Sequence, residues 1–192
     1  MSYLLLIGDP GVGKLRLLRE IAEDFENVLW VSTVFSAERV REIIGKKPWV
    51  LDAFSWGMKK AGEKELVIAN PMNLNEISLA VSKILQEIGK NYFLVFHSIS
   101  GLAVYQPLSK VINLLRALFM KIENDNAKAV FTLTSGAQER QFEIGAMIFF
   151  PNVVELHERE IRVVKSFNPD IESGEEYSVN RAKEVLMRLL RI

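Results

Sequence analysis

The stretch "MSYLLLIGDPGVGKL", residues 1–15, decides how this chain is read. An unbroken apolar run, Tyr3–Ile7, leads straight into Gly8, Asp9, Pro10, Gly11, Val12, Gly13, Lys14 and Leu15. Those eight positions follow the phosphate-binding pattern Gly-x-x-x-x-Gly-Lys-[Ser/Thr] everywhere except the last, where Leu15 stands. The pattern works mainly through the backbone. Glycines behind a strand let the chain curl so that successive N–H groups point inward, and the helix that follows adds its positive N-terminus. Lys14 would then reach the outer phosphates of a nucleotide. A buried strand before the loop and an amphipathic helix after it supply the context that the pattern requires. The expected result is a preformed cradle whose N–H groups surround an anion-sized space. The plain alternative is a Gly/Pro-rich connection that binds nothing.

Leu15 bears on the metal. The hydroxyl normally found at this position goes to magnesium, a hard cation that takes oxygen ligands in near-octahedral geometry. A leucine methyl offers none. Either the metal is held less well, by water alone, or nucleotide enters without metal and leaves its charge to Lys14 and the backbone dipoles.

Outward from the loop, short apolar runs recur at Val28–Val31, Tyr92–Phe96 and Ala129–Leu133. Runs apolar at every position suit strands buried on both faces of a parallel sheet. Between them Lys14–Phe25, Ser36–Ile44, Asn73–Ile88 and Pro107–Asn124 have helical spacing. Ser36 suits an N-cap, Asn73 with Glu76 resembles a capping box, and Pro107 suits a first turn. Pro48–Ala53 and Glu65–Ala69 read as weaker strands. Residues 153–167 alternate as a hairpin at a sheet edge, 168–178 form a loop, and residues 179–192 make an amphipathic helix. Strands alternating with helices of this length imply an α/β layered domain. Tyr3–Ile7 is expected at its centre, next to Ala129–Leu133, with Tyr92–Phe96 beyond, so that Lys14 and His97 face one cleft. A single domain over 1–192 is expected, with its core in about 2–167.

The 192 residues are 49% apolar and 25% charged, which is globular, and 24 basic residues balance 24 acidic ones, so no global field attracts nucleic acid or anionic membrane. No apolar run approaches the roughly 20 residues of a spanning helix. The start lacks the basic leader of a signal peptide, so a cytoplasmic protein is expected. With no cysteine, disulfides and thiolate metal sites are excluded. Nineteen Glu against five Asp, with plentiful Lys and Arg, resembles the bias of hyperthermophile proteins and fits an archaeal source.

In its order of motifs the chain resembles KaiC-like ATPases of the RecA superfamily. The resemblance runs from the glycine loop through "NVLWVSTVFSAERVREII", "NLNEISLAVSKILQEIGKNYFLVFHSISGLAVY" and "AKAVFTLTSG" to "NVVELHEREIRVVK". It implies a RecA-like P-loop NTPase domain, three layers α/β/α with a mostly parallel sheet and an edge hairpin. It also implies ATP or ADP as ligand and assembly with like or related RecA-like subunits. Family members end the Walker B strand in Asp, commonly followed by Ser. Here "YFLVFHS" puts His97 in that place. They also carry an acid just past the second strand, to polarise the attacking water. In "VSTVFSAER" the matching positions are Val34, Phe35 and Ser36, with Glu38 further on, inside the helix. These departures, with Leu15, fall on the parts that handle metal and water, while the cradle and its lysine remain. The chain therefore reads as a degenerate, regulatory ATP-binding protein with little or no hydrolysis. The alternatives are an interaction subunit with an empty loop, and a working ATPase with a non-standard metal site.

His97 itself reads in two ways: as a phosphate- or metal-facing imidazole, or as a hydrogen-bonded residue at the end of a buried strand. No partner ligand stands out, since His157 falls in the hairpin. Ser98, Ser100, Thr134 and Ser135 lie where α/β sheets place ligands, and either meet a phosphate or cap strands. The basic clusters at 38–47 and in the last helix are interleaved with Glu and read as solvated faces, so nucleic acid is not expected. The segment "PWVLDAFSWGMKKAG" (48–62) carries Trp49 and Trp56 and, where exposed, would mark a partner surface.

Overall fold

A computed structural model describes residues 2–191. Strand β1 (Tyr3–Gly8) is buried at every position. It needs no polar face, because Tyr3, Leu5 and Ile7 enter one core layer while Leu4 and Leu6 enter the other. The remaining strands are β2 (Val28–Ser32), β3 (Trp49–Asp52), β4 (Glu65–Val67), β5 (Phe93–His97), β6 (Lys128–Thr134), β7 (Asn152–Leu156), β8 (Glu160–Lys165) and β9 (Glu176–Ser178). They form one sheet in the order β4-β3-β2-β5-β6-β1-β7-β8-β9. Pairing is parallel from β4 to β7 and antiparallel beyond. The central order β5-β6-β1 is the one expected.

Helices cover both faces. The first layer holds α3 (Leu74–Ile88), α4 (Ile99–Ala103), α5 (Leu108–Asn124) and α6 (Arg140–Ile148), which pack on the face of Leu5, Phe96 and Phe131. The second holds α1 (Lys14–Ala22), α2 (Ala37–Ile44) and α7 (Ala182–Leu189), on the face of Leu4, Val95 and Val130. The amphipathic helix expected at the end of the chain buries Val185, Leu186, Leu189 and Leu190 completely.

Three expectations need correction. Glu76 does not close a box with Asn73: its carboxylate accepts from Ala69 N at 2.8 Å and Asn70 N at 3.3 Å, tying down the turn ahead of α3. Asn73 still caps, accepting from Asn75 N at 3.2 Å. The 153–167 hairpin is not the sheet edge. The end of the expected loop folds back as β9 and pairs with Glu160, Ile161 and Arg162 of β8, covering that part of its edge. Lastly, α4 and α6 stand where no helix was expected.

Candidate functional site

The C-terminal ends of β1, β2, β5 and β6 meet at one end of the sheet, the place where α/β sheets put ligands. Residues 8–15 curl there instead of extending. Gly11 and Gly13 have φ of 80° and 103°, left-handed conformations that side chains disfavour, and Gly13 is the N-cap of α1. Gly8 is required for a different reason. A Cβ on it would lie 2.8 Å from Leu156 O and 2.9 Å from Val12 Cγ1, so only glycine lets the loop pass this close to β7. Ser135 N donates to Gly8 O at 3.1 Å and ties the loop to the end of β6.

Lys14 is buried, and its ammonium donates to Gly8 O and, at 2.8 Å, to Asp9 O. The Lys14 side chain therefore turns back onto its own loop. A buried ammonium needs oxygen acceptors, and the carbonyls of its own loop supply them. Burial holds the Lys14 pKa below the usual lysine value, against an opposing pull from the Asp9 charge. Leu15 turns its partly buried side chain to the apolar core and presents no oxygen. Beside Val12 and Gly13 a cleft of about 390 Å³ opens between α1 and residues 179–183, with Arg16, Glu20, Leu156 and Asn180 on its walls.

His97 ends β5 in register with Ser32, and its side chain lies on the α1 side of the sheet. Its ring stacks on Phe35, centroids 5.7 Å apart and planes 14° from parallel. Phe35 is thus the position among Val34, Phe35 and Ser36 that meets the Walker B-like residue. Ser36 caps α2, its hydroxyl accepting from Arg39 N at 3.4 Å. Glu38 is engaged elsewhere, in an exposed ion pair with Lys59. Ser98 and Ser100 serve the backbone: Ser98 Oγ donates to Thr132 O at 3.2 Å, and Thr134 N donates to Ser100 Oγ at 2.8 Å. His157 is half-exposed in the β7–β8 hairpin, 3.7 Å from Glu155. Among the described residues no group of three His, Cys, Asp or Glu could hold a metal ion.

Burial, and next to it the Lys14 charge, push the His97 pKa down to about 4. The folded protein holds a neutral imidazole there. Between pH 6.5, the ordinary histidine value, and about 4, the unfolded chain takes up a proton that the folded protein refuses. Stability is therefore retained above this window and lost as pH falls through it, by about 1.4 kcal/mol per pH step and roughly 3 kcal/mol in all. Urea unfolding of the wild type and His97→Asn at stepped pH checks this, and the variant should lose that part of the acid slope.

Sequence reading missed two residues. Asp52, at the end of β3, is fully buried and accepts from Ala37 N (2.7 Å), Phe54 N (2.9 Å), Ser55 N (2.9 Å) and Ser55 Oγ (2.7 Å). It joins the start of α2 to the 53–56 turn. Thr132 on β6 is fully buried with an unpartnered Oγ1. Its place in the run "AVFTL" carried no signal beyond an apolar strand.

No family model matches the sequence, and no curated protein matches it. Solved structures do. A KaiC-like protein from the hyperthermophilic archaeon Pyrococcus horikoshii OT3 is 19% identical, with a TM-score of 0.63 over 92% of this chain and 84% of that one. The α/β fold, a mostly parallel nine-stranded sheet between helices, matches that of this KaiC-like protein. An ATPase from the type III secretion system of pathogenic bacteria superposes with a TM-score of 0.56 at 14% identity, over 80% of this chain and 51% of its own. An uncharacterized P. horikoshii protein, solved in complex with an unknown peptide, gives 0.64 at 14% identity over 92% and 91% of the two chains.

Proposed function

We propose that this protein binds ATP or ADP in the 8–15 loop, turns it over slowly or not at all, and serves as a nucleotide-responsive regulator. The observation that carries the reading is Lys14, a buried ammonium at the N-terminus of α1 with only loop carbonyls as acceptors. A phosphate oxygen is a better acceptor for a buried cation than a carbonyl, because the hydrogen bond becomes charge-assisted on both sides. Lys14 would exchange Gly8 O and Asp9 O for the outer phosphates. The inner phosphates would lie over Gly11–Leu15 at the helix N-terminus, and the adjoining 390 Å³ cleft has the size and position for the nucleoside. Gly8, Asp9, Pro10, Gly11, Val12, Gly13, Lys14 and Leu15 form the site.

Such a ligand raises stability by RT ln(1 + [L]/Kd). At about a hundredfold excess over Kd, ATP should raise the melting temperature by roughly 5 °C or more, and Lys14→Ala should abolish the shift. Equal melting with and without ATP, ADP and GTP would remove the reading.

A second reading, an interaction subunit of a RecA-like assembly with the loop empty, is favoured by one observation. Phe54, Trp56, Met58, Val104 and Tyr105 are exposed together beyond the ends of β3 and β5, with Trp56 and Tyr105 packed edge to face at 6.3 Å. An apolar patch of this kind suits a protein partner.

A further inference from the structure

Two buried polar atoms beneath the glycine loop, His97 Nδ1 and Thr132 Oγ1, have no protein partner among the described residues. They are neighbours. The parallel β5–β6 register runs as far as Phe96 and Phe131, and His97 and Thr132 are the next residue on each strand. Both side chains project to the α1 face, since Val95 and Val130 line that layer while Phe96 and Phe131 line the other. Neighbouring strands of a sheet lie about 4.8 Å apart. His97 is 7% exposed and Thr132 fully buried. Lys14 lies close enough for its charge to act on the imidazole. The nearby Ser98 hydroxyl is already engaged, donating to Thr132 O and accepting from Ser100 N at 3.1 Å. Buried polar groups are almost always hydrogen-bonded, so two orphans together mark a place where an outside group completes the bonding.

We propose that the site takes its nucleotide as the metal-free anion, with Lys14 and the His97 imidazole, backed by Thr132, hydrogen-bonding outer phosphate oxygens where a magnesium ion would otherwise stand. This rests on the nucleotide reading above. Magnesium seeks several oxygen ligands and keeps its waters. Here Leu15 offers methyl groups and His97 offers nitrogen, a ligand that suits softer metals. The charges point the same way. Lys14 faces the imidazole from α1, β5 and the 33–36 segment bring no carboxylate, and the loop's one acid, Asp9, follows β1. Without a Walker B carboxylate to attract a dication, the free polyanion fits this balance better than its magnesium complex.

Calorimetric titration of the full chain with ATP, in EDTA and then in millimolar magnesium chloride, tests this. Wild type should bind about three- to tenfold more tightly in EDTA, the worth of one hydrogen bond made to free phosphate. His97→Asn should lose that preference. Leu15→Thr with His97→Asp should reverse it, and melting of each variant without nucleotide checks that it is folded. Magnesium tightening the wild-type complex, or His97→Asn keeping the full EDTA preference, would overturn the inference and leave the nucleotide site standing. Absence of binding in both buffers, with Lys14→Ala indistinguishable from wild type, would overturn the nucleotide site itself.

Discussion

Phosphate release from ATP by the wild-type chain is expected to be undetectable over hours. Phosphoryl transfer is catalysed mostly by positioning and by a metal that neutralises developing charge. The metal contributes several kcal/mol, and about 4 kcal/mol is already roughly a thousandfold in rate. Leu15 faces the apolar core, His97 stands at the end of β5, and Phe35 lies over the imidazole. Leu15 and Phe35 can neither bind a metal nor take a proton. His97 is a nitrogen ligand poorly suited to magnesium, and with its pKa lowered by burial to about 4 it is a weak base for an attacking water. Leu15→Thr with His97→Asp should restore magnesium-dependent binding more than rate, because no carboxylate yet polarises water. Adding Phe35→Glu places one beside residue 97, so measurable turnover is expected in the triple variant first. Steady turnover by wild type that disappears in Lys14→Ala would instead put a working ATPase with a non-standard metal site first.

Asp52→Ala is expected to cost about 3–4 kcal/mol of stability. The carboxylate is fully buried and takes four hydrogen bonds, from Ala37 N, Phe54 N, Ser55 N and Ser55 Oγ. Hydrogen bonds to a charged group contribute about 1.5–3 kcal/mol each, and removing the acceptor leaves buried donors unpaired. The site should feel the loss as well, since Asp52 fixes the start of α2, two residues from Phe35. Asp52→Asn keeps one acceptor oxygen and should be milder. Urea unfolding reads both variants, and a loss under about 1 kcal/mol for Asp52→Ala would show that the network is relieved by water.

The central sheet was legible because a strand buried on both faces leaves an uninterrupted apolar run, as Tyr3–Ile7 and Tyr92–Phe96 do. The loop was legible because its glycines and lysine sit at fixed spacing. Helix α6 was hidden by Gly145, which looks like a breaker. In the fold a Cβ at that position would come within 2.4 Å of Leu108 Cδ2, so the glycine serves the close packing of α6 on α5. α4 is five residues long and too short to show a period. Asp52 read as the end of a weak strand, because its four donors come from backbone and side-chain groups that only the fold assembles. The nearness of His97 to Thr132 depends on sheet register, which one chain's pattern leaves open. Spacing singled out Lys14, but its turn back onto Gly8 and Asp9 follows from burial, which spacing does not reveal.

The central claim is that the loop holds ATP without consuming it, and the fate of bound nucleotide tests that most directly. The protein would be incubated with excess ATP, freed of unbound nucleotide by rapid gel filtration, denatured, and its nucleotide resolved by ion-exchange chromatography. The account predicts close to one nucleotide per chain, recovered as intact ATP after hours, and none with Lys14→Ala. Recovery as ADP, or of no nucleotide from the wild type, would contradict it.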